Sequence, residues 1–227
     1  MNLGYTITRS SKRRKLTITV ERDRSVIVHA PEGISDIDID NVVASKRQWI
    51  YEKTGHSQKY QALPHAPGKE IVNGESALYL GKPYRIEIMK VCDAKIQFGQ
   101  HFLVPHISTQ KREELFREWY ITRANEEILP KVKNYASKLG VHYVKAKIID
   151  NRYRWGSCTL KNNVNFNWRL VKAPMFVIDY VIVHELTHLM EGNHTPRFWN
   201  IVRSQLAQVE KAKQWLKENG QLLEQSI

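Results

Sequence analysis

Residues 183–194 read V-H-E-L-T-H-L-M-E-G-N-H, and no other segment of the chain limits its fold so tightly. His184 and His188 are four apart, so on a helix both rings lie on one face, one turn from each other. Two neutral imidazoles at that separation suit a tetrahedral zinc ion. Glu185 falls beside the metal position rather than on it, where it can accept a proton from a water that the metal has acidified. Val181, Ile182, Val183, Leu186, Leu189 and Met190 surround the motif with apolar side chains. Such a helix is buried, and buried histidines need partners. The segment therefore predicts a buried helix with a metal on its flank.

A third ligand has to come from elsewhere. On a continuous helix His194 would stand about 15 Å further along the axis than His184, out of reach of the same ion. Gly192 can end the helix in a left-handed cap. Thr195 is a good N-cap and Pro196 a good first residue for the next helix. His194 lies in the bend between them, where it can return to the metal. Three protein ligands and one open position is the catalytic arrangement of zinc. Glu210, on the final helix, is the alternative third ligand, but no bend aims it. Glu191 lies too close to the helix to reach the open side. Arg154 and Asn167 are candidates to polarise a substrate carbonyl or to hold a metal ligand in place. The plainer reading is that Arg154, together with Trp155 and Trp168, frames the domain.

Around this segment the chain reads as α+β. Short runs rich in Thr, Ile and Val at 5–9, 16–20 and 25–30 predict strands. A turn at residues 22–24 joins the last two, and a helix capped by Ser35 or Asp36 runs to about residue 50. Residues 54–69 read as a loop. A hairpin about Gly81-Lys82-Pro83 and strands at 95–98 and 101–104 complete a β-rich N-terminal region, residues 1–105. From Ser108 the pattern becomes helical, with a kink expected at Pro130 and a stop at Gly140. Strands follow at 146–150, 153–158 and 164–168, then a helix from Pro174 and a final one from Thr195-Pro196 to about Gly220. Residues 106–227 form the second predicted domain, with 164–168 as its edge strand and Asp179 and Tyr180 capping and packing the active-site helix.

The chain has 35 Lys+Arg and 23 Asp+Glu, a formal net charge of +12. A basic surface attracts polyanions, and Lys12-Arg13-Arg14-Lys15 is its one tight cluster. Contact with DNA or RNA is therefore a second expectation. No apolar run is long enough for a membrane helix, and the basic N-terminus lacks the apolar stretch of a secretory signal. The expected location is the cytoplasm, with no membrane partner. Cys92 and Cys158 are in no paired ligand spacing and would stay reduced there. Cys158 reads as a small core residue.

The blocks RWGSC (154–158), VNFNWRLVKAP (164–174) and DYVIVHELTHLMEGNHTPRFW (179–199) resemble the YgjP-like metallopeptidase family, predicted bacterial zinc hydrolases. TITVERDRSVIVHAPEG (17–33) and NGESALYLGKPYRIEI (73–88) fit the same pattern, so the resemblance spans nearly the whole chain. It implies a zincin-like catalytic domain in which His184, His188 and His194 bind the metal and Glu185 is the catalytic residue. The family is similar to the SprT-like proteases, some of which act on proteins crosslinked to DNA. Metzincins share the histidine spacing. Their motif, however, has Gly where Glu191 stands, and their downstream methionine has no counterpart after Met190.

Three functions follow. The leading one is a zinc-dependent peptidase acting on a peptide or protein. The second is a nucleic-acid-associated protein whose zinc domain acts on DNA-bound protein. The third is a structural zinc domain, which would have no use for Glu185 and would close the fourth position.

Overall fold

The computed structural model describes residues 4–20, 24–54, 70–90, 95–151 and 154–224. Most of the predicted turn at 22–24, the loop at 54–69, Cys92 and Tyr153 lie outside these residues. The chain divides into two compact units, Met1–Ala66 and Pro67–Ile227.

In the first unit, strand β3 (Val26–Ala30) is central. It pairs in parallel with β1 (Thr6–Arg9) and antiparallel with β2 (Thr17–Val20). Alternation buries Val26, Val28 and Ala30 on one face of the sheet, against Ile39, Val43 and Ile50. Those three come from helices α1 (Asp36–Ser45) and α2 (Arg47–Thr54). Ser35 caps α1 by accepting from the Asp38 N–H. The single helix expected here is two, because Lys46 (φ −103°, ψ 10°) leaves helical geometry between them. Arg9 ties the approach to α1, donating to the Ile34 carbonyl at 2.6 Å and meeting Asp36 at 2.5 Å.

In the second unit, β4 (Ser76–Tyr79), β5 (Lys82–Met89), β6 (Gln97–Phe98) and β7 (Phe102–Pro105) form a sheet of order β4-β5-β7-β6. Helix α3 (Thr109–Leu139) runs unbroken through Pro130 and stops at Gly140, whose φ of 67° is the left-handed cap the sequence predicts. A second sheet holds β8 (Lys145–Ile149), β9 (Gly156–Cys158) and β10 (Asn163–Asn167) in the order β8-β10-β9. A 3₁₀ turn, Trp168–Lys172, leads to α4 (Met175–Thr187), and α5 (Pro196–Gln205) and α6 (Val209–Glu224) close the unit.

Three differences from the sequence reading have physical reasons. The division falls at residues 66 and 67, not at 105. Strands β4–β7 share the core of α3 and α4: the Leu80 and Gly81 N–H groups donate to the Val171 and Lys172 carbonyls at 2.9 Å, and the Tyr120 hydroxyl donates to the Leu78 carbonyl at 2.7 Å. Gly81 (φ 80°) comes so close to Pro174 that a Cβ there would lie 2.6 Å from the proline ring. Next, β10 is central, paired with β8 and β9, so the edge strands of this sheet are β8 and β9. Finally, the last helix is two, α5 and α6, because Leu206 turns extended (φ −141°, ψ 122°).

Candidate metal centre

Helix α4 is apolar nearly all round, as a fully buried helix must be. Val177, Ile178, Val181, Ile182, Val183 and Leu186 are all buried. Asp179 does not cap it. It lies inside the first turns and pairs with Lys131 of α3 at 3.0 Å. The helix ends at Thr187, with His188 as its C-cap, earlier than expected. Leu189 and Met190 then donate to the carbonyls three residues back, and Glu191 donates to Thr187. This tight turn reverses the chain without any left-handed residue. Gly192 is not among the glycines of positive φ, so the cap predicted there does not form. Thr195 does cap α5, accepting from the Phe198 N–H, and Pro196 opens that helix.

The reversal brings His194 back to His184, with their Nε2 atoms 3.0 Å apart. His184, His188 and His194 each offer a nitrogen, and these atoms lie within 4.8 Å of one another. The rings form a triangle with centroids 5.0, 4.8 and 4.8 Å apart. Phe198 backs all three at 4.7–5.0 Å, and Trp199 stacks on His194 at 5.7 Å. Tyr180, one turn before His184, stands edge-on to it at 5.8 Å.

The ring nitrogens fit a metal. His188 Nδ1 lies 3.2 Å from the Glu191 carbonyl, which can only accept, so Nδ1 carries the proton and Nε2 keeps its lone pair. His184 Nδ1 is buried with no hydrogen-bond partner among the described residues. Burial, then the neighbouring His188 and His194, push His184 down to about 3, so its ring is neutral at physiological pH. Burial and His188 also lower His194. Three converging imidazoles are a nitrogen donor set for a borderline-soft divalent ion.

Glu185, next to His184 on α4, faces β9 and is 8% exposed. A Cβ on Gly156 would lie 2.5 Å from Glu185 Cγ and 2.8 Å from Oε1, so the carboxyl occupies the space that a side chain there would take. Burial raises Glu185 to about 7, while the Arg154 charge and the Cys158 backbone N–H hold it lower than burial alone would. Arg154 thus faces the carboxylate. Asn167, by contrast, spends its side chain on the backbone. It donates to the carbonyls of Asn151 and Arg154 and accepts from the Arg169 N–H at 3.0 Å. It fixes the segment that carries Arg154. Glu191 contributes its carbonyl, and Glu210 is held by Arg203 (3.1 Å) and Lys213 (2.9 Å), outside the histidine cluster.

Sequence reasoning missed Gly156, the Cys158 N–H and the wall of Phe198 and Trp199. Helical spacing puts Phe198 and Trp199 on the first turn after the Thr195 cap, a usable signal for aromatics facing the bend. Nothing local marks Gly156, since its neighbour Glu185 is remote in sequence. Cys158 is a half-buried free thiol, raised by burial and by Glu185. No helix among the described residues is long and apolar enough to cross a membrane.

Among known proteins, the model of the YgjP-like metallopeptidase domain matches residues 14–219. No curated protein matches. Two solved structures are similar over less than half of this chain. The metallopeptidase zymogen of Pyrococcus abyssi abylysin shares 19% identity over 38% of this chain and 86% of that one, with a TM-score of 0.34. The metallopeptidase zymogen of Methanocaldococcus jannaschii jannalysin shares 22% over 42% and 96%, with a TM-score of 0.35. The family match runs unbroken through β9, α4 and the bend that carries His194, and the chain belongs to the YgjP-like family of metallopeptidase domains.

Proposed function

We propose that the chain is a zinc-dependent peptidase in which His184, His188 and His194 hold the metal and Glu185 is the general base. One observation carries this reading: three imidazoles, from α4, its C-cap and the bend beyond, converge within 4.8 Å, and α4 also carries a buried carboxyl seated over an edge strand. A structural site has no need of that carboxyl. Bound there, zinc would supply Lewis acidity, making water acidic and drawing charge from a substrate carbonyl.

The protein's own groups do the rest. Glu185, raised to about 7, has the basicity a proton carrier needs near neutral pH. It takes the proton of the attacking water and returns it to the leaving amine. The Cys158 N–H and Arg154 aim its carboxylate, and Asn167 holds Arg154's segment in place. Among the described residues β9 pairs with β10 alone, which leaves its other edge, apart from the Cys158 N–H that Glu185 takes, open to an extended peptide. Edge strand, buried helix and returning bend, in that arrangement, support a zincin-like domain.

Metal analysis together with a degradation screen tests the reading. Wild type should hold about one zinc per chain. His194→Ala should lose most of it. Glu185→Gln should keep the metal and lose hydrolysis by about a hundredfold or more. Full activity in Glu185→Gln, or full metal content in His194→Ala, would refute the assignment.

A further inference from the structure

The first unit has a surface that the metal centre does not explain. Leu16, just before β2, and Ile18 and Val20 within it fall on one face; Val20 is buried, while Leu16 and Ile18 are only part-buried against the core. The core face therefore runs outward past the end of its cover. Across from it stand Val42 of α1 and Trp49 of α2, 37% and 39% exposed, unusually open for residues of their size. Leu16, Ile18, Val42, Lys46 and Trp49 line a groove of about 330 Å³. Among the described residues β2 pairs with β3 alone, so the groove lies against a strand that is the edge of its sheet.

Basic side chains predominate around the groove. Lys46 is part of its lining. Lys12, Arg13, Arg14 and Lys15, all exposed, lead directly into Leu16. Arg13 donates to Thr17 Oγ1 at 3.0 Å, which ties the cluster to β2. Lys12, Arg14, Lys15 and Lys46 form no ion pair among the described residues. The nearby acids of α1 are engaged: Asp36 with Arg9, Asp38 with Ser35, Asp40 with Tyr5.

We propose that this groove docks an extended polypeptide segment which sets apolar side chains between Leu16, Ile18, Val42 and Trp49. Its acidic residues face Lys12, Arg14, Lys15 and Lys46, and its backbone adds to the edge of β2. The aliphatic lining distinguishes such a guest from nucleic acid. Branched side chains fill a slot of Leu, Ile and Val, whereas bases need aromatic faces, and Trp49 is the only one here. A strand edge likewise offers main-chain hydrogen bonds in a peptide's own register. The site is independent of hydrolysis at the metal centre.

The test is fluorescence anisotropy on the full-length chain carrying Glu185→Gln, so that turnover does not intervene. The probe is a short labelled peptide alternating Val and Ser and ending in a run of Asp. It should bind in the micromolar range. A Lys-ended version should bind about tenfold more weakly, and so should Val42→Glu or Trp49→Glu with the Asp-ended probe. Both substitutions sit at exposed positions. A peptide N-methylated at alternate residues probes the backbone pairing without touching the protein's fold, and it should lose binding. Absence of binding overturns the proposal, as does binding indifferent to Val42→Glu and to N-methylation. Tight binding of single-stranded DNA that Val42→Glu abolishes would make the face a nucleic-acid site and overturn it too. None of these outcomes bears on zinc content or on hydrolysis, which are read separately.

Discussion

Lys172 is a fully buried lysine of the second unit, and replacing it has a calculable consequence. Its Nζ lies 5.0 Å from the Tyr120 ring centre and 5.3 Å from that of Trp168. Burial first, and repulsion from Arg169 second, push its ammonium from 10.5 down to about 7. At about 1.4 kcal/mol per pH unit, this is on the order of 5 kcal/mol held against the charged form. Lys172→Met keeps a similar shape without the charge. The unfolded chain keeps this lysine protonated up to about 10.5, while the folded chain releases the proton near 7. Between those values the unfolded state binds more protons, so stability rises with pH. From pH 7 to pH 9 the wild type should gain about 2 kcal/mol from this group, and Lys172→Met should lack that increment. Urea unfolding followed by Trp fluorescence at both pH values, at constant zinc, measures the difference between the two proteins and cancels the other titrating groups. Parallel pH slopes would show that Lys172 keeps its proton throughout this range, and would refute the reasoning.

Gly156→Ala should keep zinc and melting temperature close to wild type. It should cut hydrolysis about a hundredfold, because the new methyl takes the place of the Glu185 carboxyl; activity within twofold of wild type would mean that the carboxyl has room to move. Asn167→Ala removes three part-buried hydrogen bonds to backbone and should cost about 2–3 kcal/mol in urea unfolding. A loss below about half a kcal/mol would show that the 151–155 segment holds without it.

The parts of the site that were legible in the sequence rest on local chemistry. The four-residue spacing of His184 and His188 fixes their common face, and the Thr195-Pro196 pair starts α5 where capping rules put it. The return of His194 follows from those two facts. Its route did not: helix α4 ends at His188 and the chain turns through short-range hydrogen bonds, so Gly192 is not needed as a left-handed cap. What remained hidden is pairing between distant segments. The alternation in 164–168 is the same for a central strand as for an edge strand, and only the partners of β10 decide which it is. Similarly, β4–β7 read as part of a β-rich half until the Leu80–Val171 and Gly81–Lys172 hydrogen bonds show which core they close. The fold of the first unit was readable as strands and a helix, apart from the break at Lys46.

The turn at Leu80 and Gly81 also sets when a nascent chain can acquire its catalytic geometry. It rests on Val171 and Lys172, about ninety residues later, and Gly81 packs against Pro174, where α4 starts. Closing a loop of that length costs about 4 kcal/mol in chain entropy, beyond a fixed term. Such contacts give nothing back until both ends exist, so they form late in folding. Helix α4 is apolar on every side and has no stable place in water before the β4–β5 hairpin, α3 and α6 surround it. A ribosome must therefore deliver almost the entire second unit before the three histidines can meet. Until then the unfinished chain holds His184, His188 and His194 without the cluster they form in the folded protein.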